Sequence, residues 1–241
     1  MTPGSKQSLP PAGARPQADP THADPIGFVL LASASPRRHE ILDQLAIHHG
    51  VLRVPAPEGE DEPQLPGEPP AQYVRRTARE KALRAAHWLQ VGGRPDPSPG
   101  DWPEHWASCP VLCADTTVIL DSQVLGKPND TEDAARMLSR LSGRQHHVHT
   151  AVVVALGERL FEAVSVSEVR FQILSPATIE RYCASGEPFG KAGSYAIQGR
   201  AAAFITRLSG SHSGVMGLPA HETTQLLLRA RAAASHKRQS P

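Results

Sequence analysis

The chain has 241 residues, enough for one large domain or two small ones around a buried core. Its 25 Lys plus Arg against 24 Asp plus Glu leave a formal charge of +1, so there is no global pull toward nucleic acid or anionic membrane, and any anion site must be a local cluster of basic groups. No apolar run approaches a membrane span, and the three cysteines, Cys109, Cys113 and Cys183, form no C-x-x-C pair and leave an odd thiol, which points to a reducing, cytoplasmic setting.

Residues 1–25 are rich in Pro, Ala and Gly, lack an apolar core and read as a disordered tail, neither a secretory signal nor a transit peptide. Gly27 to Ala32 then reads as a buried first strand. Pro36 to Ala46 reads as a helix burying Ile41, Leu42 and Leu45, with Ser35 as N-cap and Pro36 at the first helical position. Val51 to Val54 is a short second strand. The stretch from Pro55 to Pro70, with its prolines and acids, is a long loop. A helix from Pro70 to Leu89 carries Val74, Ala78, Ala82 and Ala85 on one face. Gly92 to Pro110 loses all periodicity and reads as an inserted surface loop.

Val111 to Leu120 is β-branched and apolar except for Asp115, Thr116 and Thr117, a central strand with a polar step. Thr131 to Leu141 is a helix with Ala134, Ala135, Leu138 and Leu141 inward. Val148 to Leu156 and Leu160 to Phe171 form an antiparallel pair around Gly157-Glu158. A helix capped by Ser175 runs to Ser185, a Gly-rich loop spans Gly186 to Gly199, Ala203 to Leu208 is a strand, and Pro219 to Ala234 is the last helix. One domain over residues 26–235, with the insertion at 90–110 and a short tail at 236–241, accounts for the pattern. Its class is α/β or α+β, built around a mixed sheet.

The chemistry gathers at a few points. In Leu31-Ala32-Ser33-Ala34-Ser35-Pro36-Arg37-Arg38 a strand runs into a helix whose free first-turn N–H groups and two arginines make an anion site. Asp115 sits in an apolar strand, and a carboxylate there must face a cleft, a metal or a cation. Gly126-Lys127-Pro128 places a lysine in a tight turn, and Lys81 borders the apolar stripe of its helix. Arg37, Arg38, Lys81 and Lys127 together carry enough charge for a triphosphate, while Glu62 and Asp115 offer oxygen ligands to a hard divalent cation.

Three other patterns fail. Gly186-x-x-x-Gly190-Lys191-Ala192 is one residue short of a Walker loop and lacks its final hydroxyl residue. His146, His147 and His149 have no cysteine or acid at zinc-ligand spacing and read as a polar strand end. Ser33, Ser35 and His39 lack the elbow of a serine hydrolase.

Taken in order, Leu31 to Arg38, Asp61-Glu62, Arg79-Glu80-Lys81-Ala82, Ala114-Asp115-Thr116, Gly126-Lys127-Pro128, Lys191-Ala192-Gly193-x-Tyr195-x-Ile197-Gln198-Gly199 and Gly214 to Pro219 resemble the Maf family of nucleoside triphosphate pyrophosphatases. The resemblance spans Phe28 to Leu228. It implies a Maf/inosine triphosphatase-like α/β fold, a mixed sheet flanked by helices in two lobes around a central cleft. The implied reaction is hydrolysis between the α and β phosphorus to a monophosphate and pyrophosphate, with Mg²⁺ or Mn²⁺.

By the same resemblance Asp115 is the catalytic acid and metal ligand with Glu62, and Ser33, Arg38, Lys81 and Lys127 bind phosphate. Arg37, Thr116 and Gln198 set specificity. These three are similar to the dTTP/UTP subgroup. The 7-methyl-GTP subgroup is expected to have an aromatic residue, Gln and Glu at those positions. A Gln amide complements a pyrimidine edge with one donor and one acceptor, whereas Glu offers acceptors only. The resemblance further implies a nucleoside triphosphate substrate, which extends to modified pyrimidine nucleotides, a homodimer, no direct nucleic-acid or membrane partner, and a link to septum formation and division arrest. The competing reading is a nucleotide-binding regulator with little catalysis.

Overall fold

The computed structural model describes residues 26–55, 63–94 and 102–239, the last four as backbone only. The tail at 1–25 and the Asp61-Glu62 pair expected near the metal lie outside the described residues. The amino-terminal half runs β1 (Val29–Leu31), α1 (Pro36–Gln44), β2 (His49–Val51), α2 (Pro70–Gln90), β3 (Val111–Leu120), β4 (Gln123–Leu125) and α3 (Thr131–Leu141). It continues with β5 (Gln145–Leu156), β6 (Arg159–Phe171), α4 (Pro176–Ala184), β7 (Ile205–Ser209), α5 (His212–Met216) and α6 (Ala220–Gln239).

The strands make one mixed seven-stranded sheet in the order β2-β1-β3-β5-β6-β7, with β4 also on β3. β1 is parallel to β2 and β3, and every other pair is antiparallel. The fold is α/β, a mixed sheet flanked by helices, the class the family resemblance selects from the two that the element pattern allows.

Period-two alternation sorts the core. On β1, Val29 and Leu31 face the cluster that holds Ile41 and Leu42 of α1, while Leu30 faces the opposite one with Val74, Ala78, Ala82 and Ala85 of α2. On β3, Leu112 and Ala114 join the first cluster and Val111 and Cys113 the second. The small residues of α2 let that helix lie close against the sheet, and all four are buried. Ser175 caps α4 by accepting a hydrogen bond from the Thr178 N–H, and Asp130 caps α3 from Asp133.

Two expectations change. The described end of the insertion does not merely cover the surface: Trp102 packs its ring 5.5 Å from that of Phe28 and 5.4 Å from that of Trp106, joining the α2-side core. Large amphipathic rings gain more from this contact than from solvent. The start of β5 is not simply polar either. His146 is 1% exposed, its Nε2 lies 2.9 Å from the Tyr195 hydroxyl, and burial, helped by His147, pulls its pKa down to about 4.

Candidate active site

The site lies where the sheet is interrupted. β1 pairs with β3 only at Val111 and Leu112, and β4 pairs with it only from Val118 to Leu120. Between them Cys113 to Thr117 has a strand partner on one edge alone, β5. A crevice therefore opens beyond the carboxyl end of β1, the place where open α/β sheets bind ligands. It encloses about 710 Å³, within the usual range for small-molecule sites.

Alternation along β3 divides the polar step. Asp115 points to the α2 side, where Lys81 Nζ donates to its Oδ1 at 2.7 Å, and the two side chains are only 24% and 16% exposed. Thr116 points to the other side. Its register partner Thr150 has Oγ1 3.0 Å from Thr116 Oγ1 and 2.7 Å from the Gly214 carbonyl oxygen. A carbonyl can only accept, so the Thr150 proton goes to Gly214. Thr116 is then left to donate to Thr150 and to present its lone pairs to the cleft.

The loop after β1 and the first turn of α1 form the opposite wall. Arg38 donates through Nε to the Gly217 carbonyl at 2.8 Å and through Nη1 to Ser33 Oγ at 3.0 Å. Arg37 Nε donates to the Met216 carbonyl at 3.2 Å. Both arginines are thus fixed by the carboxy-terminal segment. Ser35 occupies the N-cap position, but its side chain caps nothing; the Ser33 hydroxyl instead accepts from the Ser35 N–H at 3.2 Å. The expected Ser35 cap is replaced by a hydroxyl that serves backbone and guanidinium together.

Lys127 and the Gly-rich segment close the third side. The Gly193 N–H donates to the Gly126 carbonyl at 2.9 Å, tying the Lys191-Ala192-Gly193 turn to the Gly126-Lys127 turn. Gly193 has φ +67°, and a Cβ there would meet Val118 Cγ1 at 2.8 Å, so both backbone and packing demand glycine. Glu187 anchors the rest of the segment by accepting from the Tyr182 hydroxyl at 2.9 Å and the Arg200 N–H at 3.0 Å. Gln198 lines the cleft from an exposed position near its mouth.

All sequence-predicted site residues with described coordinates, namely Ser33, Arg37, Arg38, Lys81, Asp115, Thr116, Lys127 and Gln198, line this one cavity. Glu62 lies outside the described residues. Sequence reasoning missed the roles of Arg53, Arg84 and Lys191, which line it too. Arg84 is three residues after Lys81 on the same helix face, a signal available from spacing. Lys191 had been read only within a failed Walker loop and a family motif.

Among the described lining residues, seven cations face a single carboxylate, Asp115. Burial lowers the pKa of Arg38 against the raising effect of Asp115, and that of Arg37 against Glu40. Lys191 is lowered by burial and then by Arg37. Partly desolvated cations that repel one another suit a polyanion, whose binding relieves both costs at once.

Fold and site together define an α/β protein with a crevice whose described lining gathers seven cations around the Asp115 carboxylate. Residues 28–230 match the family described as Maf-like protein, and the chain belongs to the Maf family. It is 54% identical over 210 residues to the dTTP/UTP pyrophosphatase of Bordetella pertussis strain Tohama I, covering 87% of this chain and 96% of that one. It is 49% identical over 220 residues to the dTTP/UTP pyrophosphatase of Burkholderia pseudomallei strain 1710b, covering 89% and 99%. The Bordetella avium strain 197N protein of the same name is 55% identical over 202 residues.

Proposed function

We propose that the protein is a nucleoside triphosphate pyrophosphatase that hydrolyses dTTP and UTP, and modified pyrimidine nucleotides of the same shape, to the monophosphate and pyrophosphate. The observation that carries this reading is the convergence, among the described residues, of seven cations on one carboxylate in the gap of β3. The names of the relatives, at 48–55% identity over most of the chain, point to the same substrates.

In this mechanism Asp115 takes a proton from a water aligned on the α phosphorus, while Arg38, Lys81 and Lys127 neutralise the triphosphate and stabilise the departing pyrophosphate. Lys81 fixes one carboxylate oxygen and so orients the other toward the water. Ser33 holds the Arg38 guanidinium in place for a phosphate. Positioning and charge stabilisation supply most of the acceleration in such chemistry.

The donor set suits Mg²⁺ or Mn²⁺, hard ions that bind through one or two carboxylates and the substrate's own phosphates. Asp115, with Glu62 by family resemblance, would hold the ion, which would supply further charge neutralisation at the phosphates. Arg37, Thr116 and Gln198 read the substrate, and the Gln198 amide pairs with the donor and acceptor edge of a pyrimidine. Such an enzyme keeps unwanted nucleotides out of nucleic acids.

The cytoplasmic assignment is supported by three described cysteines, none of them in a disulfide. No described helix is long and apolar enough to cross a membrane. A homodimer and a link to division arrest rest on family resemblance.

Incubation with each common nucleoside triphosphate and Mg²⁺ or Mn²⁺, with monophosphate and pyrophosphate measured together, tests the proposal. Equimolar release from dTTP and UTP in preference to the purine nucleotides is the expected result. Orthophosphate release would overturn attack at the α phosphorus, and binding without turnover would favour the regulator. Gln198→Glu should move preference away from dTTP and UTP while pyrophosphate remains the product.

A further inference from the structure

Outside the cleft, one cluster of ligating side chains has no part in the proposed reaction. His39 and Asp43 are four residues apart on α1 and share a face, and His49 opens β2 beside them. One donor atom from each lies within 4.8 Å of the other two. His39 Nε2 is 3.4 Å from Asp43 Oδ2. That matches the edge of about 3.3 Å expected between ligands placed tetrahedrally at zinc's usual ~2.0–2.1 Å.

The second observation concerns His49. Its Nδ1 lies 2.8 Å from the Ile47 carbonyl oxygen. A carbonyl cannot donate, so the neutral ring carries its proton on Nδ1 and its lone pair on Nε2, where it accepts from His39 Nδ1–H at 2.5 Å. That bond leaves the His39 lone pair on Nε2, beside Asp43 Oδ2, so an ion would take His39 through Nε2 and replace the bond between the two rings to take His49 through its own Nε2. A backbone carbonyl that fixes the tautomer and aim of an imidazole is the usual support of a metal-ligating histidine. Two imidazoles and one carboxylate form a borderline donor set that favours zinc-type ions over the hard cations suited to the cleft.

We infer that His39, Asp43 and His49 bind a transition-metal dication of the Zn²⁺ class, with solvent in the fourth position. None of the three lines the nucleotide cleft. The site bridges α1, whose first turn carries Arg37 and Arg38, to the neighbouring strand, so an ion there clamps the helix that presents the arginines.

The test uses the full chain, stripped with EDTA and dialysed against Zn²⁺ in an excess of Mg²⁺, with metal counted by elemental analysis and Tm measured alongside. Tetrahedral Co²⁺ absorbance serves as a spectroscopic probe. His49→Gln and Asp43→Asn should each bind one Zn²⁺ fewer than the parent chain, lose the Zn²⁺-dependent rise in Tm and lose the Co²⁺ band, with metal-free circular dichroism unchanged. Asp115→Asn should keep that equivalent. No Zn²⁺ on the parent chain, undiminished binding by His49→Gln, or loss of the equivalent in Asp115→Asn would overturn the assignment.

Discussion

Asp115→Asn is the most informative perturbation of the cleft. The amide keeps the shape of the side chain and the oxygen that accepts from Lys81 Nζ at 2.7 Å, so the local geometry is retained. An ion pair becomes a bond from the ammonium to a neutral amide oxygen, which costs about 1 kcal/mol of stability at a pair as buried as this. Loss of the proton acceptor should lower kcat by roughly 10²–10⁴-fold, about 3–5 kcal/mol on the barrier. Binding should behave differently. The variant removes the one described carboxylate facing seven cations, so direct repulsion of the polyphosphate falls while the carboxylate support for a metal is lost, and the two opposing effects should leave KM little changed. The assay is pyrophosphate release from dTTP at saturating and sub-saturating substrate, with Tm as a folding control. A turnover within about tenfold of the parent, or a raised KM at constant kcat, would show that Asp115 binds rather than reacts, and the mechanism would have to be abandoned.

Two further outcomes follow from residues that support the cleft. The buried His146 has its folded pKa depressed to about 4 from 6.5. Its contribution is therefore complete above pH 6.5 and is lost as pH falls toward 4, by about 3 kcal/mol in all. In His146→Leu, denaturant unfolding between pH 7 and 4 should show that part of the slope gone, and an unchanged slope would assign the acid sensitivity elsewhere. Gly193→Ala forces a side chain into φ +67° and against Val118, so it should cost about 2–3 kcal/mol and lower kcat/KM by shifting Lys191. The double variant with Val118→Ala should recover the steric part of the loss, and no recovery would leave the backbone as the whole cause.

Much of the fold was legible because long periodic segments announce themselves. β3, α3 and the β5–β6 pair lie where alternation, helical spacing and Gly157-Glu158 put them. The short elements were not. β4 follows a two-residue turn in which Asp121 and Ser122 adopt φ 51° and 63°, left-handed values usually signalled by Asn-Gly, so the hairpin carried no recognisable turn sequence. β2 falls at His49–Val51 rather than at Val51 to Val54 because register with β1, not apolar content, selects the paired residues. α5 has five residues, one of them glycine, too few for a periodic signal.

In the site, Asp115 was conspicuous as a charge in an apolar strand. The gap between β1 and β4 that exposes it is a property of pairing and invisible in one dimension. Lys191 likewise acquires its place through a backbone bond between segments far apart in sequence.

The arginines of α1 are held by carbonyls 179 residues later in the chain. On the ribosome, β1, α1, β3 and even most of the sheet emerge while those carbonyls are still unsynthesised. Until Met216 and Gly217 arrive, Arg37 lacks its carbonyl acceptor and Arg38 has only the Ser33 hydroxyl to aim it. Completion of the crevice is thus tied to completion of translation: a chain cut short after β7 owns every described cation of the lining and Asp115, yet lacks the segment that fixes two of its arginines.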